Sequence, residues 1–228
     1  MRGRIYFVLV FSLTVLIVGF LLCRNGYLKG SKPKSAHEGP ALKNLLANGE
    51  FERAMADWKL FVPAESQAAG CNFTTVPEDR QGGRLKAQLT SATPARFGLF
   101  PDRLPMAVRY GDRYRLTAWV KADADFQVQA GTPGITLRAT LFENPEKDFP
   151  GGHIFVGAKG VAIGNPALLA GSPPPREWTK IEATIKIPHG VNYLIFFVFV
   201  WRASGKLWVD DISMVKVDAS TPLTPLLQ

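Results

Sequence analysis

The stretch NYLIFFVFVWRASGKLWVDDISM, residues 192–214, decides the fold. Residues 193–201 are almost all aromatic or β-branched and contain no charge, proline or glycine. A short apolar run that is followed by a glycine-containing segment is typical of a buried strand rather than a helix. We therefore predict two strands, 193–201 and 207–214, joined by the polar loop 202–206. This hairpin would close a β-sandwich.

Both faces of the first of these strands are apolar. Successive side chains of a strand point to opposite faces. Leu194, Phe196, Val198 and Val200 share one face, and Tyr193, Ile195, Phe197, Phe199 and Trp201 share the other. One face would pack in the sandwich core. The other needs cover from a concave face, a loop or a ligand.

The same alternation recurs along the chain. It predicts strands at 113–121, 135–142 and 178–187, a shorter strand at 85–90, and a first strand with a turn at 44–52 that leads toward Trp58. Two loops rich in proline and glycine occupy 144–152 and 164–176. Short alternating strands with frequent turns and no amphipathic helix indicate an all-β, antiparallel β-sandwich.

The positive charge of the chain lies mainly outside this predicted sandwich. The formal net charge is +8, but residues 1–43 carry seven basic residues and one acid. The folded part is therefore nearly neutral, and a nucleic-acid partner is not expected. The two cysteines, Cys23 and Cys71, have neither disulfide-framework nor metal-site spacing.

The N-terminal segment predicts a membrane anchor. Residues 5–23 carry no charge and are long enough to cross a bilayer as one helix. An uncleaved signal anchor at 1–23 is the leading interpretation, because the apolar run is longer than that of a cleavable signal. Acylation of Cys23 is an alternative, although Leu22 is bulky where a small residue is expected. Basic residues flank both ends of the run, so they leave its orientation open.

The remaining boundaries follow from composition. Residues 24–43 form a flexible basic tether rich in glycine, serine, proline and lysine. The predicted sandwich extends over 44–218, and 219–228 form a tail with two prolines.

Four landmarks carry a resemblance to a known family. They are NLLxNGxFE at 44–52 with Trp58, YRLTAWVKAD at 114–123, WTK at 178–180 and LWVDDIS at 207–213. In this order they resemble the CenC-like jelly-roll carbohydrate-binding modules that are appended to bacterial cellulases and xylanases. The resemblance covers about residues 44–216. It implies a jelly-roll form of the sandwich and favours a folded domain on the periplasmic or extracellular side of the cell membrane, where the single-pass anchor predicted from residues 5–23 would hold it.

The resemblance also implies a sugar site on a concave sheet face. There, aromatic side chains stack on sugar rings while polar groups bind hydroxyls. Trp119 matches this role, with Arg115 and Lys121 on the same side of its strand. Arg138, Phe142 and Tyr193 would join this face if their strands are neighbours. The alternative for Trp119 is packing beneath a loop. Because the face is unusually apolar, a protein partner or a covering loop is also open.

A structural calcium is the second implied feature. Modules of this family commonly hold Ca²⁺ where the first and last strands meet, and Glu52 and Asp211 occupy the matching positions, with Asp210 as the alternate. Carboxylate and carbonyl oxygens suit this ion. The alternative is a pair of solvated acids at strand ends.

No catalytic motif stands out in the sequence. It contains no Gly-x-Ser-x-Gly elbow, phosphate-binding loop or histidine pair with metal-ligand spacing. Asp210 and Asp211 point to opposite faces of one strand and do not form a glycosidase pair. We therefore expect a membrane-anchored, non-catalytic module that binds a poly- or oligosaccharide. The alternative is a protein-interaction or structural module of the cell envelope that keeps the fold without binding sugar.

Overall fold

The computed structural model describes residues 42–77, 85–103, 105–144, 152–157, 162–163 and 173–227. Residues 42–228 belong to one compact unit. The anchor predicted at 1–23 and most of the tether lie outside the described residues. Among the residues that are described, no helix has the length and apolar character needed to cross a bilayer.

Twelve strands and one short 3₁₀ helix, Ala64–Ala69, make up the described part of the fold. The strands are β1 (Trp58–Phe61), β2 (Asn72–Pro77), β3 (Leu85–Pro101), β4 (Met106–Ala107), β5 (Arg113–Ala122), β6 (Gln127–Val128), β7 (Gly134–Phe142), β8 (Gly152–Gly157), β9 (Ala162–Ile163), β10 (Thr179–Lys186), β11 (Tyr193–Val217) and β12 (Leu226–Leu227). The all-β prediction is confirmed, and so are the strands expected near 113–121, 135–142 and 178–187.

The strands form two layers that share their two longest members. The first layer has the order β2–β3–β11–β5–β10, and the second has the order β1–β3–β11–β7–β8–β9. β3 and β11 pair antiparallel over residues 87–99 and 198–209 and pass together from one layer to the other. All described pairings are antiparallel except β12 with β9. The segment predicted as a tail thus contributes a short strand.

The predicted hairpin at 193–214 is wrong. Residues 193–217 form one continuous strand, whose first half pairs with β7 and whose second half pairs with β5. The chain bends at 202–205 instead of turning back. Arg202 and Gly205 have positive φ angles of 42° and 95° there. Gly205 is required at this bend, because a Cβ atom would also lie 2.6 Å from the Asp125 carbonyl oxygen.

The core lies between the two layers and follows the alternation of the strands. Leu116, Ala118 and Val120 of β5 are at most 1% exposed, and so are Leu137 of β7 and Val198 of β11. They belong to one continuous apolar cluster. Because both layers contribute to this cluster, their other faces point outward, away from one another.

The segment predicted as the first strand is a series of turns. Residues 44–57 contain a single isolated bridge, Asn44 with Val215 of β11. The Asn44 side chain accepts hydrogen bonds from Leu46 N and Met214 N and donates one to the Ile212 carbonyl. These bonds replace the pairing that a strand would have made.

Two further residues of the same landmark explain its shape. Asn48, at φ 51°, donates from its side chain to the carbonyls of Ala54 and Ala56 and accepts from Arg53 N. A Cβ atom on Gly49 would lie 1.9 Å from the Ile212 carbonyl oxygen. The NLLxNGxFE landmark is therefore a clamp that fixes the chain onto β11.

Candidate functional site

Three of the five tryptophans lie partly exposed on the outer side of the first layer. Trp208 of β11 is opposite Lys121 of β5, and Trp119 of β5 is opposite both Asp210 of β11 and Lys180 of β10. We call this surface the tryptophan face. It consists of Trp119, Trp178, Trp208, Lys86, Lys121, Lys206, Gln88 and Asp210.

The alternation of β11 accounts for the outward position of Trp208. Leu207 and Val209, on either side of it, are fully buried in the core. Trp208 and Asp210 therefore point to the opposite side of the strand. The core does not need the indole, so its position on the surface requires another explanation.

Three lysine side chains surround the Trp208 indole. Their Nζ atoms lie 5.1 Å (Lys86), 5.6 Å (Lys121) and 5.8 Å (Lys206) from the ring centroid. Lys86 Nζ is also 5.6 Å from the centroid of Trp178, so one ammonium group lies close to both indoles. Each such contact contributes about 0.5–1 kcal/mol at an exposed site and more when water is excluded.

The carboxylates of this region are held by neighbours. Lys206 Nζ forms an ion pair with Asp123 at 3.1 Å. The pKa of Asp123 lies below its usual value, mainly because its carboxylate accepts a hydrogen bond from Ala124 N and secondly because of the bond from Lys206. Asp210 is 2% exposed and lies opposite Trp119 in the pairing of β11 with β5.

This arrangement provides the two kinds of contact that a sugar needs. The indoles offer flat apolar area to the C–H face of a pyranose ring, and neighbouring ammonium and amide groups can donate to hydroxyls. Gln88 supplies such an amide, since it is partly exposed and lies opposite Trp208 on β3. The tryptophan face is therefore chemically suited to bind glycan.

The structure divides the residues that the sequence grouped into one site. Trp119, Lys121 and Arg115 share the outer side of β5, as expected. Arg138 and Phe142 lie on β7, and Tyr193 lies opposite Phe142 on β11. The proposed common face is wrong, because β5 and β7 belong to different layers.

The second layer carries its own aromatic cluster on its outer side. Phe197 and Phe199 are 8% and 1% exposed, although they are not part of the core between the layers. Phe61 and Phe100 pack against Phe197 with ring centroids 5.8 Å and 5.4 Å away. The apolar face anticipated from the sequence is thus filled largely by contacts among its own rings.

Two arginines cover these rings. Arg138 lies 5.5 Å and 5.2 Å from the centroids of Phe197 and Phe199, and Arg96 lies 4.6 Å from that of Trp201. Burial and, to a smaller extent, the positive charge of Arg96 together lower the pKa of Arg138 to about 10. Because Phe197 and Phe199 are nearly buried, this cluster offers less open aromatic area to a sugar than the partly exposed indoles of the tryptophan face do.

The predicted calcium ligands lie in different surroundings. Glu52 is exposed in the N-terminal turns, and Asp211 forms a bulge of β11 with φ 46°. Ile212 N, next to Asp211, donates to the Gly49 carbonyl, so the two segments do meet. Asp210 lies instead on the tryptophan face. The described residues contain no group of three or more His, Cys, Asp or Glu placed to hold a metal, so Ca²⁺ here would depend on backbone carbonyls as well as carboxylates.

Sequence reasoning missed Trp208, Trp178 and Lys86 as site residues. Trp208 and Trp178 were quoted only as landmarks of the resemblance. The signal was present in the alternation of 207–210, where Leu207 and Val209 take the core side and leave Trp208 outside. Lys86 could be placed only once β3 was known to be the neighbour of β11.

No protein-family model matches the chain, and no curated protein matches it. Among solved structures, it is similar to the enzymatically active domain of bacteriophage CBA120 tailspike protein 4 (15% identity, TM-score 0.51, covering 76% of this chain and 21% of that one). It is also similar to an arabinose-bound GH51 α-L-arabinofuranosidase (13% identity, TM-score 0.50, covering 79% and 27%). These likenesses show a shared fold.

A CBM4 module aligns as well, at 13% identity and a TM-score of 0.47, with 75% of this chain and 99% of the module covered. The chain spans only about a fifth to a quarter of the tailspike domain and the arabinofuranosidase. None of these comparisons singles out the CenC-like group, so that resemblance stays a prediction.

Proposed function

We propose that the protein is a non-catalytic module that binds glycan on the tryptophan face. The observation that carries the proposal is the presence of three partly exposed indoles, Trp119, Trp178 and Trp208, on one outer sheet face. Large exposed aromatic surfaces on a soluble fold mark interaction sites. Amine, amide and carboxylate groups placed between indoles favour a polar ligand with apolar ring faces over an apolar protein partner.

The anchor and the localisation belong to the same proposal. A single N-terminal span would hold the sandwich at the outer side of the cell membrane, within reach of envelope or extracellular polysaccharide. The long apolar run of residues 5–23 supports this arrangement.

Affinity gel electrophoresis of the full chain in a non-ionic detergent tests the proposal. A gel that contains the right polysaccharide should retard the protein. Trp119→Ala should weaken the affinity for that polysaccharide about thirtyfold, because losing an aromatic contact costs roughly 2 kcal/mol. Phe142→Ala is the matched control, because Phe142 is also a partly exposed aromatic residue but lies on the second layer.

The outcomes separate the possibilities. If Phe142→Ala abolishes retardation while Trp119→Ala does not, the sugar site lies on the second layer. If no polysaccharide retards the protein, glycan binding is refuted and the protein-interaction alternative takes its place. Release of reducing ends from a retained polysaccharide would refute the non-catalytic assignment.

A further inference from the structure

We infer that the glycan bound by the tryptophan face is acidic, carrying repeated anionic groups such as uronate carboxylates or sulfates. The inference rests on the proposed function and specifies its ligand class. It starts from the three ammonium groups around Trp208, those of Lys86, Lys121 and Lys206, which lie within 5.1–5.8 Å of one ring centroid.

These lysines come from three adjacent strands, β3, β5 and β11. Neighbouring strands are about 4.8 Å apart, so the backbone positions of these lysines span roughly 10 Å of the sheet, while their ammonium groups converge on Trp208. A cluster of cations beside an aromatic surface matches a chain whose sugar rings carry anionic groups. The ring stacks on the indole while its anion accepts charge-assisted hydrogen bonds from the ammonium groups.

The charge balance of the outer side of the first layer supports the same ligand. The cations of the described residues there include Lys86, Lys121, Lys180, Lys186, Lys206, Arg113 and Arg115, and the carboxylates include Asp123, Glu182 and Asp210. Two of these acids form ion pairs, Glu182 with Lys180 at 2.6 Å and Asp123 with Lys206 at 3.1 Å. The face therefore keeps a positive excess, which would attract an anionic chain.

Lys86 adds a specific argument. The residue is only 5% exposed, and its ammonium lies within 5.6 Å of the centroids of two indoles. Its charge adds to the positive potential of the face, which attracts an anionic sugar and not a neutral one.

The test compares three polymers in affinity gels with the full chain in a non-ionic detergent: polygalacturonate, dextran sulfate and a neutral xylan. We expect retardation by polygalacturonate or dextran sulfate and weaker retardation by xylan. The comparison of the first two polymers shows whether carboxylate or sulfate is preferred. Retardation should fall as salt is raised, because the screening length drops from about 10 Å at 0.1 M to about 3 Å at 1 M.

Two variants test whether a lysine of the tryptophan face contributes to binding of the acidic polymer. Lys121→Gln keeps most of the side-chain length but removes the charge, and we expect about tenfold weaker binding to the acidic polymer. Lys59→Gln is the control: Lys59 lies on β1 of the second layer, paired with Asp102, and its loss should change binding less than about twofold. A thermal melt of each variant verifies folding.

The results distinguish this inference from the proposed function. If xylan retards the protein as strongly as the acidic polymers do, the ligand is not acidic, but glycan binding stands. If an acidic polymer binds and Lys121→Gln weakens that binding no more than Lys59→Gln does, the lysines of the tryptophan face do not select the anion and the inference is refuted. If nothing binds, both proposals fail.

Discussion

Replacing Gly49 by alanine tests how the N-terminal clamp holds the sandwich. The added Cβ would lie 1.9 Å from the Ile212 carbonyl oxygen and 3.0 Å from its carbon, whereas an ordinary contact is 3.4–4 Å. Both obstacles are backbone atoms of β11, so no side-chain rotation relieves the clash. The segment must move away from β11, which endangers the hydrogen bond from Ile212 N to the Gly49 carbonyl.

The magnitude follows from these two losses. Overpacking costs about 1–3 kcal/mol, and a lost backbone hydrogen bond costs about 1 kcal/mol. We expect Gly49→Ala to lower the free energy of unfolding by about 3 kcal/mol. For a domain of this size that lowers the melting temperature by roughly 6–12 °C.

Gly111→Ala is the matched control. Gly111 has a φ of 84° and nothing within 4 Å of an added Cβ, so its substitution adds backbone strain without a clash. We expect a cost of about 1–2 kcal/mol there. Thermal and urea melts of the two variants measure the difference. A Gly49→Ala variant as stable as Gly111→Ala would show that 44–49 does not pack against β11 as described.

Asn44→Ala should lower the free energy of unfolding by about 2–3 kcal/mol in a urea melt, because it removes three hydrogen bonds to the backbone of Leu46, Ile212 and Met214. A change below about 0.5 kcal/mol would show that Asn44 does not hold the N-terminal turns against β11. Burial, and after it the charge of Asp112 and the hydrogen bond to it, raise the pKa of Tyr114 to about 12. The stability that Tyr114 contributes should therefore fall as pH rises from about 10 to 12, and Tyr114→Phe should remove that part of the pH dependence. Thermal melts of the variant and the parent across this pH range measure it, and the same pH dependence in both would refute the assignment. If Glu52 and Asp211 hold Ca²⁺, calcium should raise the melting temperature of the full chain and Asp211→Asn should abolish the rise; a melt that is the same with calcium and with a chelator would remove the site.

The strands that were predicted well are those whose pattern is local. In β5, Tyr114, Leu116, Ala118 and Val120 alternate with polar or partly exposed neighbours, and this alternation alone places them in the core. Register with other strands is not needed for that result. The period-2 signal is produced by one buried face, and a single sequence contains it in full.

The bend at 202–205 could not be predicted in the same way. A glycine with positive φ serves a hairpin turn and a bend equally well. What decides between them is whether the next segment pairs with the previous one or continues beside a third strand. Here β3 provides that third strand, since it runs beside β11 through both layers. No property of residues 202–206 themselves specifies this.

The site was predicted in part for the same reason. Trp119, Lys121 and Arg115 share a face because they share a strand, which alternation guarantees. Arg138 required β5 and β7 to be neighbours, and the structure separates them by layer. Residues from different strands can be grouped into a site only after the strand order is known.

The landmarks of the resemblance have two separable roles in this fold. Asn44, Asn48 and Gly49 hold the N-terminal turns against β11, and their contacts are internal to the protein. Trp178 and Trp208 lie in other landmarks and stand outside the core, with lysines around them. The first set explains why the sandwich closes whether or not it binds anything. A partly exposed indole does little for closure beyond its contacts with lysine, so ligand binding has to be tested on the second set.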